Sequence, residues 1–225
     1  MTHNSKHNTR NSLTRSGVPS GYLAFQLQDY DPKTPSQDEA FRAAVHFLVN
    51  LHANFQAGAG MIFTGDVGAG KTHLAVGLMA SILERSPKLC KTRGALFLSA
   101  QETINGMRRE ISLAPAKKKY TQLFESAFDK RFLLLDDWGK ERLTPWVMDE
   151  VYCLLSHRHS HRLMTIITSN SSLADIRSAY NSQDLNSHTA GTAIVSRLRE
   201  RNKIFTIHGP DGRMKGGKQD GKEYY

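Results

Sequence analysis

The chain has 225 residues, of which 39% are hydrophobic, 23% charged and 8% aromatic, a composition that excludes disordered, collagen-like and disulfide-rich classes. Lys and Arg number 30 against 21 Asp and Glu, for a formal charge of +9. Met1–Gln28 contributes +3 with no acid, Arg197–Tyr225 contributes +4, and residues 29–196 only +2, so the ends are basic and the body nearly neutral. Basic ends suit a polyanion, through phosphate neutralisation and counterion release, or serve solubility alone.

Cys90 and Cys153 are the only cysteines and form no CxxC pair, which fits a reducing cytoplasm. No apolar stretch approaches the roughly 20 residues that span a bilayer, so no membrane partner is expected. Residues 1–20 carry almost no apolar periodicity and lack the apolar centre of a secretory signal. Their acid-free composition fits a transit peptide or a disordered basic arm, and the arm is the reading adopted. It ends in the turn cluster Gly17-Val18-Pro19-Ser20-Gly21. A folded domain over 21–210 and a basic tail over 211–225 complete the expected organisation.

Apolar spacing predicts a helix from Ser36 or Asp38 to Leu51, with Phe41, Ala44, Val45, Phe47 and Leu48 on one stripe. Met61–Thr64 reads as a buried strand. A glycine-rich run then leads into a helix bearing Leu74, Ala75, Leu78 and Ile82. Ala95–Leu98 is a second strand, followed by a helix through Ile104, Met107 and Ile111. Phe132–Leu135 is a third strand, with Asp136 and Asp137 at its end. Thr144-Pro145 reads as a helix cap with proline at the first helical position, and Val147, Val151, Leu154 and Leu155 follow. Met164–Thr168 and Ile204–Ile207 complete five strands. Continuous apolar strands separated by helices predict an α/β fold with a parallel sheet covered on both faces.

Gly65-Asp66-Val67-Gly68-Ala69-Gly70-Lys71-Thr72 matches GxxxxGK[ST] in full, between a strand and a helix, with His73 next. Such a loop turns backbone N–H groups onto phosphate oxygens and adds the positive end of the helix. Lys71 would reach the β- and γ-phosphates of ATP and Thr72 would ligate Mg²⁺. Asp136, delivered by a strand end to the same edge, would hold the Mg²⁺ shell, and Asp137 would polarise the attacking water. Asn170, closing Thr165-Ile166-Ile167-Thr168-Ser169-Asn170, would sense the γ-phosphate or position the water, or simply start a turn. Arg197, in Val195-Ser196-Arg197-Leu198-Arg199-Glu200-Arg201, could stabilise the transferring phosphoryl group in cis or from a neighbour, or lie on a solvated basic face.

Together GDVGAGKTHLA, FLLLDDWG, TIITSN, VSRLRERN and Gly209-Pro210-Asp211-Gly212-Arg213 resemble the bacterial helicase-loader ATPases of the DnaC and DnaI type and the related IstB transposition helpers. The lead-in Arg15–Pro19 and the terminal Gly221-Lys222-Glu223-Tyr224 extend the resemblance over nearly the whole chain. It implies a three-layer AAA+ P-loop core without a separate helical lid, acting on or beside single-stranded DNA. Gly65–Thr72 then corresponds to Walker A, Asp136 and Asp137 to Walker B, and Asn170 to sensor 1. Arg197 falls at the trans arginine finger of a homo-oligomer, and Arg213 at a nucleotide-contacting arginine. Asp137 stands where the wider AAA+ class has glutamate, a pairing familiar in DnaI and IstB-like members.

The resemblance also implies a partner, a replicative helicase or a transposase. DnaC-like loaders carry a helicase-binding extension, where residues 1–20 here are short, basic and polar, so partner contact is expected to use another surface or a further protein. DNA-contact candidates are Arg108, Arg109, Lys117, Lys118, Lys119 and Tyr120, with Lys215 and Lys218 in the tail; a cation beside a ring suits backbone tracking and base stacking. His157, Arg158, His159, His161 and Arg162 read as a polar helix end rather than a metal site. The expected activity is slow, DNA- or partner-stimulated hydrolysis of ATP, with a P-loop kinase and a non-hydrolysing ATP-dependent clamp as the competing readings.

Overall fold

The computed structural model describes residues 3–86, 94–113, 117–140, 144–183 and 189–212. Five strands, β1 (Gly60–Gly65), β2 (Ala95–Ser99), β3 (Phe132–Asp136), β4 (Met164–Thr168) and β5 (Asn202–Ile207), form one sheet in the order β2-β3-β4-β1-β5. Every pairing is parallel; Leu134 pairs with Ile166, Phe63 with Thr168 and with Phe205. The apolar runs are continuous because both faces are covered, and their side chains divide with a period of two. Met61, Phe63, Phe97, Phe132, Leu134, Met164 and Ile166 enter one core, while Ile62, Leu96, Leu98, Leu133, Leu135 and Ile167 enter the other.

The first core is roofed by α1 (His3–Arg15), α2 (Pro35–Val49), α3 (Leu51–Ala57) and α4 (Lys71–Arg85). The second is closed by α5 (Ala100–Leu113), α6 (Lys119–Ser126), α7 (Pro145–Ser160), α8 (Leu173–Gln183) and α9 (Ala190–Arg201). One of these helices starts at the Thr144-Pro145 cap expected of it, and α2 starts at Pro35, just before the expected Ser36 or Asp38. Thr34 and Thr144 both cap the helix behind them with the side-chain hydroxyl, each with proline in the first turn. At Thr34 the Gln37 side chain completes a capping box.

The amino-terminal segment differs from the disordered arm expected. Residues 3–15 are helical, and the helix lies along α4 with Leu13 fully buried and Val18 just beyond it 5% exposed. The carbonyl of Ser16 accepts the Phe97 N–H at 2.7 Å, so the chain after α1 covers the outer edge of β2. One apolar residue in thirteen leaves no periodic stripe to detect; docking through Leu13 and the protected edge of β2 hold the helix instead.

Arg158 is 1% exposed and fastens the opening of β3 and β4. Its guanidinium donates to the carbonyls of Ala127, Lys130 and Met164 and to Thr165 Oγ1, at 2.6–2.9 Å. Burial pulls its pKa down to about 9. Beside it, His157 and His161 stack on each other at 4.0 Å, His157 faces Asp129, and His159 faces Glu200. The polar helix end expected there is thus partly an internal fastening. No helix among the described residues is long and apolar enough to cross a membrane.

Replacing Leu13 with Ala removes a fully buried side chain and is expected to cost about 2–5 kcal/mol in denaturant unfolding. A disordered arm would make the same substitution silent.

Candidate nucleotide site

In a parallel α/β sheet the carboxyl ends of the strands open onto a crevice, here at the ends of β1, β4 and β3. β1 runs out at Gly65, and the loop to α4 carries two glycines with left-handed backbone, Gly68 at φ 76° and Gly70 at φ 89°. A side chain at Gly68 would strike Asp211, and Gly70 is the residue from which α4 starts. Lys71 is 5% exposed, and its ammonium donates to the carbonyls of Gly65 at 2.9 Å and Asp66 at 2.6 Å, folding back over its own loop. Burial lowers its pKa, while the carboxylates of Asp137, Asp66 and Asp136 act in the opposite sense. Val67 stands exposed at the tip of the loop.

Thr72 turns to the sheet and its hydroxyl donates to Asp136 Oδ1 at 3.0 Å. The same oxygen accepts from Thr168 Oγ1 at 2.6 Å, so one carboxylate joins the first turn of α4, the end of β3 and the end of β4. Asp136 is 4% exposed; burial raises its pKa, and the hydroxyls of Thr168 and Thr72 offset that only in part. A buried carboxylate beside a threonine hydroxyl supplies hard oxygen donors, and Mg²⁺ takes one or two such protein ligands and completes its octahedron with phosphate and water. Thr72 and Asp136 therefore fit the ion.

Asp137 follows in left-handed conformation, φ 59°, which aspartate tolerates better than most residues. Its N–H donates to Thr168 Oγ1 at 2.9 Å, and the buried Trp138 behind it donates its N–H to the Thr168 carbonyl. Asp137 Oδ1 accepts from Asn170 Nδ2 at 3.2 Å, and Oδ2 faces Lys140 Nζ at 3.0 Å. Asn170 is thus brought onto the carboxylate of Asp137. Lys140, which no sequence motif singled out, meets the same carboxylate, and Thr168 bonds the backbone of Asp137 and the side chain of Asp136.

Residues 207–212 close the loop from outside. Ile207 O accepts the Asp66 N–H, Gly212 N–H donates to Gly68 O, and the Asp66 carboxylate meets the Gly209 N–H and the ring of His208. Thr34 and Ser36 donate to the His208 carbonyl, tying the start of α2 into the same corner, and Gln37 Nε2 donates to Ala69 O. His73 faces elsewhere. Its ring stacks on Phe25 at 4.5 Å and meets the carbonyl of Gln26, so it anchors residues 25–30 over α4.

Arg197 is not brought to this cluster. It lies near the end of α9, which enters β5 at the opposite edge of the sheet, where it borders a shallow pocket with His159, Arg201 and Asn202. Its guanidinium sits over the Tyr152 ring at 5.1 Å and donates to Ala193 O. The β1 strand alone separates the two edges by about 17 Å at the usual rise per residue.

Arg109 on α5, Lys119 at the start of α6 and Lys117 and Lys118 just before it are exposed, and Arg108 is half-buried. Tyr120 is already engaged: its ring lies against the α5 backbone at Gly106, and the Lys119 ammonium stands over it at 5.2 Å. The buried Glu110 accepts the N–H groups of Tyr120 and Thr121 and the Thr121 hydroxyl, fastening the start of α6. Burial pushes its pKa up, but these three bonds prevail and hold it below the ordinary carboxylate range. Arg213, Lys215, Lys218 and Cys90 lie outside the described residues.

A phosphate loop, a paired strand-end acid and an asparagine just past the strand between them, on a five-stranded parallel sheet, define an AAA+ P-loop fold. Residues 24–220 match the IstB-like ATP binding protein family, and the chain belongs to it. It is 26% identical over 156 residues to the replicative helicase loader DnaI of Bacillus subtilis, covering 69% of this chain and 47% of that one. It is 24% identical over 155 residues to a protein of Geobacillus stearothermophilus named as the ATP-binding protein of insertion sequence IS5376, covering 69% and 55%. The chain therefore spans about half the length of these two relatives. Among solved structures, the DnaC helicase loader superposes with a TM-score of 0.66 and 28% identity, over 84% of this chain and all of that one.

The raised pKa of Asp136 carries a sign. A carboxyl with a higher pKa folded than unfolded binds more protons in the folded state, so stability falls as pH rises from its ordinary value of 3.8 through the raised one. At neutral pH the charge is a standing cost to the nucleotide-free fold. Asp136→Asn, which keeps an oxygen to accept from Thr72 and Thr168, is expected to raise the melting temperature at pH 7 while abolishing Mg²⁺-dependent nucleotide binding, as thermal unfolding and calorimetry would read. A lower melting temperature would contradict the assignment.

Proposed function

We propose that the chain is an ATPase switch that binds ATP with Mg²⁺, assembles with copies of itself on single-stranded DNA, and hands that DNA to a replication or transposition partner. The observation that carries the reading is the single carboxylate of Asp136, bonded by both Thr72 and Thr168, which unites a phosphate loop with a strand-end acid pair. Lys71 would hold the β- and γ-phosphates, exchanging its two loop carbonyls for phosphate oxygens. Thr72 and Asp136 would hold Mg²⁺, which when bound neutralises charge building on the phosphate oxygens. Asp137 would accept a proton from water as the water oxygen bonds to the γ-phosphorus and the bond to the bridging oxygen breaks, releasing ADP and inorganic phosphate. Asn170, already on Asp137, would orient that water.

Arg197 would serve a neighbouring copy, since its own loop lies at the other edge of the sheet. Arg108, Arg109, Lys117, Lys118 and Lys119 would track the DNA backbone; Tyr120, packed on Gly106, supports that surface rather than offering its face to bases. The likeness to DnaI supports a replicative helicase as partner, and the IstB-like family with the IS5376 relative supports a transposase equally. Binding of the intact chain to one of these and not the other separates them.

Asp137→Asn is expected to lower kcat by about 10²- to 10⁴-fold with nucleotide affinity kept. Release of inorganic phosphate, without transfer to nucleoside acceptors, distinguishes the ATPase from a kinase, and a wild-type chain that binds ATP without turnover would favour the clamp. Mixing Lys71→Ala subunits with Arg197→Ala subunits, each inactive alone, is expected to restore part of the DNA-stimulated turnover; no recovery at any ratio would refute the trans assignment.

The DNA surface has its own measurement. Each lost phosphate contact should flatten the dependence of log affinity on log salt by about 0.7 for a single strand. Neutralising Lys117, Lys118 and Lys119 together is expected to show such a drop in a fluorescence titration with oligothymidine, and an unchanged slope places the DNA elsewhere.

A further inference from the structure

β3 delivers Asp136 and Asp137 to the crevice, and the chain turns at once. Asp137 and Gly139 both have positive φ, with the buried Trp138 between them as the anchor. The turn brings Lys140 back over the site, where its ammonium stands 3.0 Å from Asp137 Oδ2. It is the second lysine there: its charge also acts on Lys71, whose pKa is lowered first by burial and then by Lys140, and on Asp136. Two ammonium groups from different elements thus converge on one crevice.

The pair with Asp137 is weakly held. The two side chains are 37% and 36% exposed, and a solvent-facing pair of this kind contributes about 0–1 kcal/mol. A triphosphate carries far more negative charge than one carboxylate, and lysine has a long, flexible stem with which to follow it. Asp137 would lose little on release, because Asn170 still donates to its other oxygen.

We propose that Lys140 is a second phosphate-binding cation of the site, which leaves Asp137 and pairs with the γ-phosphoryl oxygens when ATP is bound. The assignment rests on the ATPase reading and deepens it. Lys71 reaches the β- and γ-phosphates from the loop, whereas Lys140 comes from the acid-pair side, where the terminal phosphoryl group alone and the attacking water meet. It therefore reads the group that distinguishes ATP from ADP, and its departure frees one oxygen of Asp137 for water.

Calorimetry of the full chain with Mg²⁺ and either ADP or a non-hydrolysable ATP analogue tests this. Lys140→Ala is expected to weaken the ATP analogue by about ten- to hundredfold, the range of a hydrogen bond between charged groups, with ADP unchanged. Lys140→Arg should restore most of the difference. In an Asp137→Asn background the same loss should persist, because the contact is to phosphate; if it vanishes there, Lys140 acts only through Asp137 and the assignment falls. An equal loss for both nucleotides, or none in a wild type that hydrolyses ATP, also overturns it and leaves the ATPase reading intact. Failure of the wild type to bind ATP overturns both. Lys140 is half-exposed, so an unchanged melting temperature of the variant certifies the comparison.

Discussion

Asp136 sits where three elements end, and its carboxylate is the point at which they are joined. The phosphate loop, β3 and β4 come from residues 65–72, 132–136 and 164–168, and without a common acceptor the hydroxyls of Thr72 and Thr168 would face an apolar interior unpaired. Burying that acid raises its pKa, and the two hydroxyls offset the rise in part. Thr168 extends the connection by accepting the N–H of Asp137, so the next residue is fixed by the same hydroxyl.

From that point the strand order acquires a function. β4 lies between β1 and β3, so its last residues are the ones placed between loop and acid pair. Thr168 bonds both acids at the backbone and side-chain level, and Asn170, two residues on, reaches the second carboxylate. Had β3 been the neighbour of β1, no strand would separate the two motifs and no asparagine would have this position. The crossing of the chain from β1 to β2 over two strands, then back, is what opens the gap that β4 fills.

Much of this was legible in the chain. Four of the apolar runs carry strands covered on both faces, which need both sides apolar, the edge strand β5 is largely exposed, and all five appear within two residues of their expected bounds. Lys71, Thr72, Asp136, Asp137 and Asn170 were legible because phosphate chemistry demands particular residue types at strand ends. What escaped depends on contacts distant in sequence. Leu13 gives α1 no stripe, and its burial against α4 becomes visible only in three dimensions. Thr168 looks like one more β-branched strand residue until Asp136, 32 positions away, is beside it. Tyr120 was expected on a DNA-facing segment, but its ring packs on Gly106, and Glu110, which carries no motif, fastens the start of the neighbouring helix.

The basic excess of the chain is likewise redistributed by the fold. Arg158 spends its charge on backbone carbonyls, Lys71 and Lys140 face the acids of the nucleotide site, and Arg197 rests over Tyr152. Subtracting them leaves Lys117–Lys119 with Arg109 as an exposed basic run among the described candidates, on and just before helices that pack against the second core. A parallel sheet has two unlike edges, and here the phosphate loop and acids occupy one while Arg197 belongs to the other. A contact that sets one end of the sheet against the opposite end of the next copy is heterologous, and such contacts close into rings or continue as helical filaments according to their rotation. The trans reading proposed above would be met by such a head-to-tail array, and equally by an antiparallel two-fold pair that sets each copy's Arg197 against the other's loop.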